Sequence, residues 1–387
     1  MNSSASASTI AERLLAGPRG RRFLLEYALA SELAQNPVRS EESFGSAAFD
    51  AAYRLDPAVI SGSARKYQSL FGEVTEQPDM PVVTPAEAAE RLDMVELLEP
   101  TPKTLRSALA VAVDTARYWQ EPDGDDVLAA TPDMLHGLRR VAEHIAASPL
   151  PGWWWTPVDR FTQHCVLWEG AAPVTIPDDV HATLLAASDQ QRAEERLALQ
   201  ERDQAPTANW SGEWWSHPPV TMPSSTRKLF DGSPAGLWFV EDSFGWEDAE
   251  SMRVFVPQDI SVFEIEDASD WAKLCARFPM DVTAQKRHDW YRTTGRIGRW
   301  ITPGWVQVAE HYDAVHLQVG AYLSAAGIAI PVDDITDSAS VIAGWDPDTT
   351  YWFSSSIAYD YERIGWLLVE AGVDMVWKPV PAQETHT

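Results

Sequence analysis

Residues 260–278 read ISVFEIEDASDWAKLCARF. From Ile260 to Glu266 apolar residues alternate with polar or acidic ones, the period of a β-strand. Ser269-Asp270 then form a cap, and Trp271, Leu274, Cys275 and Phe278 return at helical spacing. A strand passing within a few residues into a helix predicts mixed α/β texture for the half of the chain around it. Downstream, Pro303 is expected to open a helix carrying Trp305, Val308 and Tyr312. Strands are expected at Ala314–Leu317, Ile328–Val332, Ser340–Gly344 and Thr350–Phe353. A helix ending at Gly372 and a last strand, Val373–Trp377, close the reading. Upstream, Gly236–Val240 reads as a short strand and Gly245–Met252 as a short helix.

Further upstream the texture changes. Ser188–Gln204 is almost wholly polar and helix-favouring, which predicts a solvent-exposed connecting helix ended by Ala205-Pro206. The Trp153-Trp154-Trp155 cluster opens the segment before it. The first 148 residues read as helical. Thr9-Ile10-Ala11-Glu12 has the form of a capping box closed by Gly17-Pro18, and a second helix runs from about Arg21 to Leu33. Thr84-Pro85, Thr101-Pro102 and Thr131-Pro132 each mark a further helix start. The expected class is α+β: a helical region at 1–148, the Trp cluster and connecting helix at 149–205, and a Trp-rich mixed α/β domain at 206–387.

Composition narrows the function classes. The 387 residues carry a formal charge of −27, which repels phosphate backbones at long range and disfavours nucleic acid. No run of eighteen apolar residues marks a membrane span, and the N-terminus lacks a signal-peptide pattern. Two cysteines, Cys165 and Cys275, are too few for a disulfide framework, so a cytoplasmic setting is expected. Of eighteen tryptophans, thirteen follow residue 200, enough to fill a core and also line a pocket for a flat ligand.

Against the acidic background, Lys286, Arg287, Arg292, Arg296 and Arg299 crowd into one stretch with Trp290, Tyr291 and Trp300, the glycines Gly295 and Gly298, and a Thr-Thr pair. Cations, rings and flexible backbone suit a phosphate- and base-bearing ligand; the competing reading is a solvated face. Arg227, after Ser224-Ser225-Thr226, stands at a strand end beside hydroxyls, as a phosphate or carboxylate anchor would, or as a surface arginine paired with an acid. Glu264 and Glu266 share one face of their strand and suit acid/base work or an outer edge. Asp346, Asp348 and Thr350 precede an aromatic strand, where α/β sites often lie, or form a plain turn. His311, Asp313 and His316 have no metal-ligand spacing, and packed or solvated histidines explain them better, so no metal is expected. Walker A, G-x-S-x-G, G-x-G-x-x-G and H-E-x-x-H signatures are absent.

In the order SSTR (224–227), GLWFVEDSFGWEDAE (236–250), ISVFEIE (260–266) and GWDPDTTYWF (344–353), residues 210–355 distantly resemble ADP-ribosyltransferase-like domains. The chain also resembles an actinobacterial-type family that brings no function with it. The first resemblance implies an NAD-consuming transferase or glycohydrolase, of toxin or defence type. In it Arg227, Arg292 and Arg296 hold the pyrophosphate, with hydroxyls from Ser225 and Thr350. Trp290 or Tyr291 stacks on a ring, and Asp348, or alternatively Glu264, bonds the ribose and stabilises the oxocarbenium-like charge. Two departures stand out: the serines and threonine precede the arginine, and Asp348 replaces the family's glutamate and is shorter by one methylene. The N-terminal helical region would then regulate the enzyme or bind its protein target. The alternative is a non-catalytic interaction module built on the Trp-rich domain.

Overall fold

The computed structural model describes residues 7–37, 40–62, 81–170, 175–243, 245–372 and 374–380. Among these, the N-terminal part is helical: α1 (Ala7–Ala16), α2 (Pro18–Gln35), α3 (Phe44–Leu55), α4 (Pro57–Ile60), α5 (Pro85–Met94), α6 (Pro102–Asp114), α7 (Gly124–Ala129) and α8 (Pro132–Ala146). The threonine-proline starts act as expected. Thr84 and Thr101 close full capping boxes, and Thr131 accepts from the Met134 N–H. Thr9 does not cap α1, because that helix already begins at Ala7. Gly17-Pro18 ends α1 and starts α2 at once.

A 3₁₀ turn, Leu150–Trp155, leads into β1 (His164–Trp168), and the polar helix α9 (Val180–Glu201) follows. The remaining elements are β2 (Ser224–Ser225), β3 (Asp248–Phe255), β4 (Val262–Ile265), α10 (Ala268–Arg277), β5 (Pro279–Asp281) and α11 (Thr283–Thr294). Then come β6 (Arg299–Pro303), α12 (Trp305–Ala309), β7 (Ala314–Leu317), α13 (Val319–Ala325), β8 (Ile330–Asp333), β9 (Ser338–Ser340), β10 (Thr350–Trp352), β11 (Ala358–Ala371) and β12 (Asp374–Val380). The class is α+β, and the described residues form three four-stranded sheets ordered β1-β3-β11-β12, β2-β10-β7-β4 and β5-β6-β9-β8.

The ISVFEIEDASDWAKLCARF stretch folds as β4 and α10, with Asp267 rather than Ser269 as the cap. Several local expectations are overturned. Pro303 ends β6, and the helix after it starts at Trp305 and stops at Ala309, short of Tyr312. Of Ser340–Gly344 only Ser340 lies in a strand, β9. Gly245–Met252 belongs largely to strand β3, because pairing with both β1 and β11 outweighs the helical leaning of its Glu, Ala and Met. The tail is no helix: β11 and β12 form an antiparallel hairpin turning at Gly372, whose φ of 76° suits glycine. Val373, expected to begin the last strand, lies outside the described residues. Gly236–Val240 is a short 3₁₀ turn, Ala235–Leu237.

One cluster of buried apolar side chains runs from Ile10 in α1 to Phe353 after β10, across positions 148 and 205. The helical part packs on the sheets through α13, which meets both α1 and α2. Gly320 in α13 lies so close to Trp155 that a Cβ there would stand 2.0 Å from the indole nitrogen. That close approach seats the Trp153–Trp155 turn against α13.

Candidate functional site

The second sheet aligns four polar residues in one row. Thr350 of β10 is opposite Ser225 of β2 on one side and His316 of β7 on the other, and His316 is opposite Glu264 of β4. Residues in register on neighbouring strands project from the same face. Asp348, just before β10, closes the row on the Arg227 side. Its carboxylate accepts from the Arg227 backbone N–H at 2.9 Å and from Nε at 2.6 Å.

The row is an alternating chain of charges. Glu264 accepts from His316 Nδ1 at 2.6 Å and from the Val158 N–H at 2.9 Å. His316 Nε2 faces Asp348 Oδ1 at 3.5 Å, too long for a well-directed hydrogen bond but close enough for Coulombic attraction. Burial alone would discharge His316, yet Glu264 and Asp348 outweigh it and hold the imidazole pKa up at about 9. Burial also works against the charge on Asp348, and there Arg227 and His316 reverse the sign and keep its pKa below the ordinary carboxylate value. For Glu264, too, burial is overcome, chiefly by His316, and its pKa is lowered. At neutral pH the sequence is therefore carboxylate, imidazolium, carboxylate, guanidinium. Ser225 and Thr350 complete the row differently. Ser225 Oγ donates to Gln163 and accepts from Trp352 Nε1, while the fully buried Thr350 hydroxyl has no partner among the described residues.

Arg227 joins this row to a pocket. Beyond Nε, its guanidinium makes two long contacts, to Thr156 Oγ1 at 3.4 Å and the Pro157 carbonyl at 3.3 Å, and lies over the Trp153 ring at 4.8 Å. A guanidinium has five N–H donors, so two have no partner among the described residues. The pocket beside it has a volume of about 340 Å³ and is lined by Arg106, Arg227 and Lys228 with Trp153, Trp154, Phe230 and Phe239. Asp159 is the one acidic residue on its lining. Arg106 is held against Asp231 and packs over Trp238 at 3.5 Å and Phe230 at 4.8 Å. Helix α6 forms one wall through Pro102, Leu105, Arg106 and Leu109, so the pocket lies where the helical part meets the sheets.

No protein-family model, curated protein or solved structure matches this chain. Its site rests on its own geometry.

The cationic stretch is elsewhere and otherwise employed. Its first half is helix α11, not a loop. Lys286 is buried and donates from Nζ to the Glu213 and Trp215 carbonyls at 2.8 and 2.7 Å. Trp290 is fully buried, stacks edge-on against Trp300 and donates to the Trp214 carbonyl. Arg292 pairs with Asp289 and with the Trp119 carbonyl, and Arg296 pairs with Asp337 at 2.9 Å. Trp290, Tyr291, Arg292 and Arg296 do not line the Arg227 pocket. The expectation that Arg292 and Arg296 join Arg227 on a pyrophosphate, with Trp290 or Tyr291 stacked on a ring, is corrected: an acidic partner or a carbonyl was available for each cation within the fold.

His316 was read from the sequence as a packed or solvated histidine, yet it is the centre of the row. The strand pattern of Ala314–Leu317 showed that it was in a sheet, but the pairing of β7 with β4 is not written locally. His311 and Asp313 do not join it: His311 bonds the Gln307 carbonyl, and Asp313 accepts from the Ser261 N–H. Among the described residues no group of three or more His, Cys, Asp or Glu side chains is arranged to hold a metal ion. No helix among them is long and apolar enough to cross a membrane.

Proposed function

We propose that this chain is a binding protein whose pocket beside Arg227 takes a small planar anion, of the size of a mononucleotide or an aromatic acid. One observation carries the reading: three cationic side chains and four aromatic ones share the lining of a single cavity. Rings supply flat apolar contact and cations supply the counter-charge, which together suit a ligand with a planar body and an anionic end. The volume of about 340 Å³ is at the low end of the about 300–1,000 Å³ of small-molecule sites, so it favours one nucleotide half of NAD over the whole dinucleotide.

Binding is favoured over turnover because the carboxylates are committed. Asp348 is 1 % exposed and already neutralised by Arg227 and His316. Glu264 is taken by His316 and the Val158 N–H. NAD cleavage, the reading that follows from the ADP-ribosyltransferase resemblance, requires Asp348 to release Arg227 and reach the ribose. In this proposal the N-terminal helical region contributes a pocket wall through α6. Both cysteines are free and buried, which suits a reducing, cytoplasmic setting.

Titration calorimetry with AMP, nicotinamide mononucleotide, nicotinate, ADP-ribose and NAD tests the proposal, with released nicotinamide measured alongside. The expected result is binding of a mononucleotide or an aromatic acid, no nicotinamide release, and about tenfold weaker affinity in Trp153→Ala. Nicotinamide release by wild type that Asp348→Asn abolishes would favour the NAD-consuming reading. Absence of binding by every probe to folded protein sinks both.

A further inference from the structure

We propose that the cavity between α9, β6 and the 213–221 segment is a second binding site, specific for a small primary amine in its ammonium form. The cavity has a volume of about 240 Å³. Glu194 of α9 and Glu213 supply its charge, and Trp215, His217, Thr302 and Trp305 supply rings and polar atoms. No described lysine or arginine lines it. The Arg227 pocket, with which it shares no residue, has three.

The two carboxylates have neutral partners. Glu194 accepts from Gln190 Nε2 at 2.8 Å and from Gln285 Nε2 at 3.0 Å, both amides. Among the described residues Glu213 receives one long contact, 3.5 Å, from the same Gln285 amide. The cations around them are spent on backbone. Lys286 Nζ donates to the Glu213 and Trp215 carbonyls and Arg202 to the Gln285 carbonyl at 2.6 Å, and neither forms an ion pair with these carboxylates. Glu195, next along α9, is taken by the first N–H groups of α11. Burial, and after it the neighbouring Glu194, raises the Glu213 pKa, and the pull of Lys286 does not cancel them. A cation bound beside both carboxylates would relieve that repulsion.

Two neutral acceptors belong to the same lining. His217 is held parallel to Tyr351 at 5.5 Å and to Trp215 at 6.3 Å. Its Nδ1 meets the Pro218 carbonyl, which only accepts, so Nδ1 carries the ring proton and Nε2 presents a lone pair. Burial lowers its pKa to about 4, so the ring is neutral at pH 7. Nε2 has no hydrogen bond among the described residues and is not sealed over by them. The Thr302 hydroxyl is also unpartnered, in a residue 1 % exposed. Thr302 shares a face of β6 with Trp300, which packs on Trp290 of α11, so it stands on the side that α9 covers.

This set of groups accepts hydrogen bonds and carries negative charge. A primary ammonium brings three N–H donors to it, whereas a quaternary one brings none. The indoles of Trp215 and Trp305, with Ala187, Pro219 and Val220, suit a cation attached to a flat apolar body. The volume, below the usual range of about 300–1,000 Å³, keeps that body small.

The full chain is titrated with benzylamine, tetramethylammonium and calcium chloride, by calorimetry and by thermal shift. Benzylamine is expected to bind with a Kd of about 1 mM or tighter and to raise the unfolding midpoint as mass action requires. Tetramethylammonium and calcium should bind more weakly. Glu213→Gln and Glu194→Gln should each weaken benzylamine about tenfold. Glu213→Gln removes one of two like charges and breaks no short bond, so the free variant should be at least as stable as wild type. Trp153→Ala, in the other pocket, should leave this response intact. Benzylamine binding that ignores Glu213→Gln, or no binding to folded protein, overturns the site. A tighter hold on tetramethylammonium or calcium than on benzylamine overturns the primary-amine assignment.

Discussion

Asp348 holds Arg227 at two points, accepting from its backbone N–H at 2.9 Å and from its Nε at 2.6 Å, in a backbone conformation with φ of 63°. The bond to the backbone fixes where β2 ends. The bond to the side chain fixes where the guanidinium enters the pocket. Asparagine tolerates the left-handed conformation, so Asp348→Asn isolates the charge. It leaves Arg227 without its buried counter-ion, and a loss of about 3–5 kcal/mol is expected in urea denaturation. A loss within experimental error would show that the pair does not organise this end of the sheet.

Stability should fall between pH 6 and 8. His316, raised to about 9, keeps its proton in the folded state while the unfolded chain releases it near 6.5. Its contribution is therefore complete below about pH 6.5 and is lost as pH rises toward 9. Over pH 6.5–8 this amounts to roughly 2 kcal/mol. Two buried carboxyls act in the same direction. Burial, with help from Asp346, pushes Glu241 up to about 8, and burial pushes Asp346 up to about 7. Above pH 8 Lys286, lowered to about 8 by burial, begins to work the other way. Denaturation midpoints at pH 6, 7 and 8 check the sign, and a rise across that window would contradict it.

Glu241→Gln separates these contributions. Both carboxylate oxygens of Glu241 are buried without a well-directed partner among the described residues. An amide of the same shape cannot ionise there. The variant should be more stable than wild type at pH 8 and should flatten the decline from pH 6, as a denaturation series at the two pH values will report. An unchanged slope would remove Glu241 from the account.

Lys286→Met tests whether the cationic stretch is structural. The lysine joins α11 to the 213–215 segment through two carbonyls. Losing those donors should cost about 1–3 kcal/mol, partly offset because an ammonium no longer has to be desolvated. Ligand affinity at the Arg227 pocket should not change. A large change in affinity would return the stretch to the site.

Gly320→Ala tests the seating of the tryptophan turn. The new Cβ would fall 2.0 Å from Trp155 Nε1, so the indole or α13 must move. Overpacking of this kind costs about 1–3 kcal/mol. Because Trp153 and Trp154 line the Arg227 pocket, ligand affinity should weaken as well. Normal stability and normal affinity together would mean that the turn yields freely.

Much of the fold was legible locally. The capped helix starts at Thr84, Thr101 and Thr131, the β4–α10 unit and the strands at 314–317 and 350–352 follow from neighbours within a few residues. Where a segment's own leaning opposed its pairing, the pairing won: β3 and β11 carry helix-favouring residues yet lie beside each other in one sheet. Candidate residues divided similarly. Arg227, Ser225, Glu264, Asp348 and Thr350 could be named from residue type and position at strand ends, and they meet around one sheet. Trp290, Arg292 and Arg296 had the same chemical appearance and went to other partners.

The sequence by itself determined the mixed α+β character, the positions of most capped helices and the supply of cations, acids and rings. Those depend on spacing along a few turns or one strand. Only the tertiary structure decided which carboxylate neutralises which cation. Coulombic pairing depends on separations of a few ångströms between residues far apart in the chain, such as Arg227 and Asp348, 121 positions apart. Register across β2, β10, β7 and β4 brought His316 between Glu264 and Asp348, while α11 turned its own cations toward carbonyls and aspartates.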